Sequence, residues 1–243
     1  MAIKSGIDKG LTSAFDLFPK SARIVQGNIG TFAILYIIPL LSGLGSLRTD
    51  SNIDEQSFRN FANNFSGLPG YGTGALIGLG IVLFVIILAV YLIVNAMKYS
   101  LELKSAQGKK LKLEQLWPYA KKYWLRLVGL FILMGLYIII GFILLIIPGF
   151  IAIRRYMLAP YVLIDKDMSI PDAMRESARI SKPYSGSIYS ILGVMILISV
   201  PSIFPVFGWI ITFVLTILYS VAPALRYEEL KKLIDYLNSV LND

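Results

Sequence analysis

The sequence contains no cysteine and no histidine. Without cysteine there are no disulfides, no thiolate nucleophile and no thiolate metal site. Without histidine there is no Ser-His-Asp or Cys-His catalysis, no imidazole zinc site and no histidine pH switch. Charge is also scarce: 16% of the 243 residues are charged, where a soluble domain carries about 25%. Acids are the scarcer sign, 15 against 23 basic residues. Few side chains remain for chemistry, and the residues point to no catalytic constellation, no cofactor and no metal.

What the chain has in abundance is apolar surface. Hydrophobic residues make up 56% of it, and the mean hydropathy is +0.69. They fall in runs with few or no charges, and a helix needs about 20 such residues to cross a hydrocarbon core of about 30 Å. The runs predict an all-α polytopic transmembrane bundle, a single membrane domain over 1–243. Its six spans are expected at about 29–47, 73–97, 126–147, 150–164, 185–200 and 206–225. An interfacial helix at about 8–28 precedes the first span. Interfacial segments at 98–125 and 165–182, where basic and aromatic residues mix, and an amphipathic tail at 226–243 complete the layout. Within 165–182, Ser169 reads as a helix cap, with Pro171 in the first turn and Asp172 three residues after the cap.

The net charge of +8 follows the same layout. With the N-terminus inside, Lys and Arg gather on one side of the membrane, and only Arg48 and Arg59 fall in the outer loop 48–72. That is the bias of cytoplasmic loops, so both termini are expected in the cytoplasm. The expected partners are the bilayer and its anionic headgroups rather than nucleic acid. A repeat is also visible. Leu17-Phe18-Pro19 and Leu116-Trp117-Pro118 stand 99 residues apart, as do Gly30 and Gly129, and 165–182 looks like a third, degenerate copy.

Candidate site residues are few. Arg154 and Arg155 fall on an expected span, where a charge is costly and is usually paired or functional. Two readings stand: a structural role, by snorkelling or pairing, or binding of a phosphate-bearing lipid or other anion. Consecutive helical positions point about 100° apart, so the two arginines should not share one environment. Lys109, Lys110 and Lys112 are candidates for anionic headgroups, and Pro148-Gly149 is expected to form the turn between spans three and four.

Three further stretches carry a resemblance: Gly108–Trp117 with Trp124–Leu127, Ile147–Tyr156 with Ala159–Asp165, and Ala173–Ser177 with Leu225–Leu230. Together they resemble the prokaryotic six-span family that includes the membrane domain of glycerophosphoryl diester phosphodiesterases and related stand-alone inner-membrane proteins. The resemblance covers about residues 98–230, and the first hairpin by layout only. It implies a helical module of a prokaryotic inner membrane with no catalytic residues of its own; where a phosphodiesterase is attached, a separate soluble barrel does the hydrolysis. The functional expectation is a non-enzymatic, lipid-interacting scaffold or accessory subunit. A transporter or channel for a small molecule or lipid, and an intramembrane enzyme of lipid metabolism, are the alternatives.

Overall fold

The computed structural model describes residues 11–37, 72–204 and 207–242, which contain helices and no strand. In chain order the helices are α1 (Leu17–Gln26), α2 (of which residues 29–37 are described), α3 (Gly72–Ala106) and α4 (Leu113–Leu144). Then come α5 (Ile146–Tyr156), α6 (Ala159–Lys166), α7 (Ile170–Ser181) and α8 (Ser185–Ser199). A 3₁₀ turn at Val200–Ile203 leads to α9 (Phe207–Tyr219) and α10 (Ala222–Asn242).

Among the described residues, five stretches are long and apolar enough to cross a membrane: Gly78–Ala106, Leu113–Leu144, Ile146–Lys166, Ser185–Ile203 and Phe207–Val240. That is the make-up of an integral membrane protein. The first expected span, 29–47, is helical over 29–37, and the rest of it lies outside the described residues, as does the outer loop 48–71.

Helix α3 shows how one helix serves two solvents. Between Leu79 and Val90 its large side chains are exposed all round, as on a helix surrounded by lipid. From Ala96 onward Ala96, Leu101 and Leu103 are buried in the core. Residues 98–106 therefore continue α3 and are not the start of a separate interfacial helix. Gly108, at φ +81, ends this helix in the left-handed conformation that glycine adopts without strain. The Gln115 side chain accepts from the Lys112 amide to open α4. From there α4 runs unbroken to Leu144, so the expected segment 98–125 is split between two spanning helices. Pro118 lies early enough in α4 that the helix loses one bond and continues.

The expected turn at Pro148-Gly149 is also corrected. The chain reverses at a single extended residue, Leu145 (φ −168, ψ 153), and both Pro148 and Gly149 are helical in α5. Proline in the first turn sacrifices no helical hydrogen bond, which is why the same residue fits a helix start as well as a turn. Gly149 serves close packing. A Cβ there would stand 2.6 Å from the Phe142 ring, and one at Gly141 would stand 3.0 Å from the Gly149 backbone. At the tip of this hairpin Ile143, Leu144, Leu145, Ile146 and Ile147 are 68–78% exposed.

Expected span four, 150–164, is two helices, α5 and α6, interrupted at Met157–Leu158. Pro160 cannot donate a bond back across that break. Every residue from Leu158 to Ile164 is buried, which makes α6 the centre of the core. The end of α3, the first half of α4, α7, Phe32 and Tyr36 of α2, Ile188 of α8, and Tyr227 and Leu230 of α10 all pack in that cluster.

Expected segment 165–182 divides likewise. Lys166 ends α6, Asp167 turns in the left-handed region (φ 50), and the Ser169 hydroxyl accepts from the Asp172 amide to cap α7. Of the interfacial helix expected at 8–28, residues 8–10 lie outside the described residues, 11–16 are not helical and the helix starts at Leu17; the tail helix begins at Ala222.

Candidate functional site

Helix α7 is amphipathic. Ala173, Met174, Ser177 and Ile180 face the core, while Arg175, Arg179 and the following Lys182 lie on the open side. Helix α5 runs beside it, and α4 closes the third wall. The three enclose a cavity of about 440 Å³ lined by Arg155, Arg175, Arg179 and Lys182, with Tyr137 and Tyr156, and among the described residues no acid lines it.

The two arginines of the expected span part company here. The Arg154 guanidinium donates to the carbonyls of Ser181 (3.2 Å) and Lys182 (3.4 Å), at the C-terminal end of α7. Those carbonyls are left over by the helix and carry its negative end, so a cation there satisfies both. Arg155 is exposed and lines the cavity, and its own carbonyl accepts from the Ser177 hydroxyl at 2.7 Å. Arg154 thus pins α7 in place, while the Arg155 side chain lies open to the cavity.

Of the four cations, two are already paired outside the cavity. Arg179 holds Glu176 through two bonds of 2.7 and 2.8 Å, and Lys166 reaches the same carboxylate at 2.7 Å. Arg175 stands 3.6 Å from Asp172. The side chains of Arg155 and Lys182 have no hydrogen bond or ion pair among the described residues. The Arg179 bond, joined by Lys166 and opposed by partial burial, holds the Glu176 carboxyl at about 2, against an ordinary 4.5.

A lowered carboxylate stabilises the fold above its unfolded value and loses that contribution as the proton returns. The midpoint of thermal unfolding should therefore fall as pH drops from about 4.5 toward about 2. Glu176→Gln, which has nothing to protonate at this position, should fall less over the same window. An equal fall in both would locate the acid sensitivity elsewhere.

Lys109, Lys110 and Lys112 are exposed in the turn between α3 and α4 and do not line the cavity. Among the described residues no three acids come together that could hold a metal.

Sequence reasoning passed over a buried polar network. Glu102 is 2% exposed. Its two carboxylate oxygens accept from the hydroxyls of Tyr36 (2.7 Å) and Tyr161 (2.8 Å), which joins α2, α3 and α6. Nearby, Asp165 accepts from Gln107 (2.9 Å), Tyr227 (2.9 Å) and Lys231, so the α3–α4 turn, α6 and α10 meet on one carboxylate. Glu102 stands four residues after Lys98 between two leucines. Once α3 is seen to continue past Met97, that pattern marks a core-facing acid.

No protein-family model matches this chain, and neither does any curated protein or solved structure.

Proposed function

We propose that the chain is a non-enzymatic membrane module that binds the phosphate of an anionic lipid in the groove between α4, α5 and α7. The observation that supports this reading is the cavity itself, with four cations and two tyrosines on its wall and no acid among them. Arg155 and Lys182 bring unpaired donors, and guanidinium binds phosphate through a two-pronged fork that a lysine cannot copy. The apolar faces of Leu133 and Met174 beside them suit the first carbons of a lipid. With this reading go six spans, cytoplasmic termini, a prokaryotic inner membrane and kinship with the six-span family that the sequence resembles. The basic groove then lies at the cytoplasmic leaflet, where anionic lipid adds about 1 kcal/mol per cation.

The test is retained lipid. Protein purified from membranes containing phosphatidylglycerol should carry it, identified by native mass spectrometry. Arg155→Ala with Lys182→Ala should reduce that retention about tenfold or more, since one charge-assisted bond is worth roughly 1.5–3 kcal/mol and 1.4 kcal/mol is a factor of ten. Arg155→Lys should restore only part of it. Unchanged retention in the double variant would remove the groove from the account.

A further inference from the structure

A second cavity, about 260 Å³, lies inside the bundle and shares no residue with the basic groove. Its wall includes Tyr36, Lys98, Tyr99, Glu102, Tyr161 and Tyr219. The Lys98 ammonium sits 4.9 Å from the centre of the Tyr36 ring and 5.6 Å from that of Tyr99. It makes no hydrogen bond and no ion pair among the described residues, so its three N–H donors are unused. Its charge is answered by two ring faces and by Glu102, one helical turn away on the same face of α3.

The lining is built for a positive guest. Ring faces carry the negative lobe of the aromatic quadrupole. Glu102 brings two carboxylate oxygens, fixed by two tyrosine hydroxyls and so unable to turn away. Helix α9 ends at Tyr219, which lines the cavity together with Ser220, so the negative end of that helix lies beside it. An anion would meet repulsion from each of these. An ammonium between aromatic faces beside a carboxylate is the arrangement that holds alkylammonium ligands. Here the guest is the chain's own lysine, on a flexible four-carbon stem.

We infer that this cavity is a cage for an alkylammonium ligand, held closed by Lys98 as a tethered occupant, from the juxtaposition of the Lys98 ammonium with Tyr36, Tyr99 and the clamped Glu102. The ligand displaces Lys98, whose stem is long enough to carry its charge toward the headgroups. Charge balance is kept, one cation for another beside one carboxylate. The space, roughly eight water volumes, admits a small alkylammonium group. That group can be a free amine or the amine of a lipid headgroup.

The experiment uses the full chain in nanodiscs of phosphatidylglycerol, with tetramethylammonium as the probe. Lys98→Met removes the occupant and should tighten probe binding at least tenfold. Adding Tyr99→Leu, which removes one ring but leaves Glu102 and its tyrosines, should reverse most of that gain. In the wild-type chain, saturating probe should raise acylation of the Lys98 amine by an amine-reactive reagent, read by peptide mass spectrometry; this measurement needs no variant to fold. Exchanging half of the lipid for phosphatidylethanolamine separates the sources. If the headgroup is the natural guest, it alone exposes Lys98 and weakens the probe; if a free amine is, it does neither. The inference is overturned if Lys98→Met binds the probe no better than wild type, or if the probe leaves Lys98 acylation unchanged. It is equally overturned if the wild-type cavity binds acetate and Lys98→Met loses it, since Lys98 is then an anion anchor.

Discussion

Glu102→Leu should produce the largest loss of stability of any single substitution in the bundle. The hydroxyls of Tyr36 and Tyr161 are both buried and both donate to this carboxylate. Leucine fills much of the space but accepts nothing. Each stranded hydroxyl costs about 1–3 kcal/mol, so the pair costs roughly 2–6 kcal/mol, a large share of a typical stability of about 5–15 kcal/mol. The leucine recovers a part, because no charge remains to be buried. The thermal midpoint in detergent and the yield of monodisperse protein should both drop. Glu102→Gln should drop less, since its carbonyl still accepts one hydroxyl. A leucine variant as stable as wild type would show that the tyrosines do not depend on the carboxylate.

The second large effect is expected at Arg226, whose side chain is 1% exposed. It donates to Glu229 at 2.9 Å and to the Thr12 carbonyl, so it fastens the N-terminal segment to α10. Arg226→Met keeps the volume and removes both bonds. Breaking a buried pair from one side costs about 3–5 kcal/mol. Glu229 retains some solvent and has Lys20 at 3.9 Å as a second partner, which places the expected loss near 3 kcal/mol. Trypsin should then cut at Lys20 faster in folded protein, ahead of global unfolding. Unaltered cleavage together with an unaltered midpoint would mean that the N-terminal segment is held without Arg226, by the apolar packing of Ala14 and Leu17 and by the bond from the Tyr219 hydroxyl to the Ala14 carbonyl.

How far the sequence could be read depended on what kind of signal each feature left. The start of helix α7 was legible to the residue, because Ser169, Pro171 and Asp172 act through local geometry that needs no partner. The apolar stretches were legible because length against bilayer thickness is a one-dimensional measure. The junctions were not. An amphipathic stretch and an apolar stretch have the same helical period, so nothing between Trp117 and Arg126 marks an end, and α4 runs through. Pro148 was ambiguous because its fixed φ suits a turn and a first helical turn equally. The cavity lined by Arg155 joins residues 133 to 182 across three helices, and only their packing brings Arg175, Arg179 and Lys182 to it. Glu102 was hidden by its neighbours. Among so many lysines it reads as one more surface charge, and only the continuation of α3 turns it inward.

The tip between α4 and α5 bears on how the chain enters a bilayer. Residues 127–153 carry no charge at all, and the reversal at Leu145 takes place within that stretch. A connecting loop of ordinary polar composition has to be dragged through hydrocarbon before a hairpin can span, at about 2.5–3.5 kcal/mol for each charge that passes the midplane. This hairpin has none to drag. Its backbone groups are satisfied within the two helices except at their facing ends, the last carbonyls of α4 and the first N–H groups of α5, and its leading side chains are those the hydrocarbon accepts most readily. It can be driven in tip first from the side on which it is made, as a wedge, with Arg126 and the Arg154–Arg155 pair following as brakes that stop it at the headgroups.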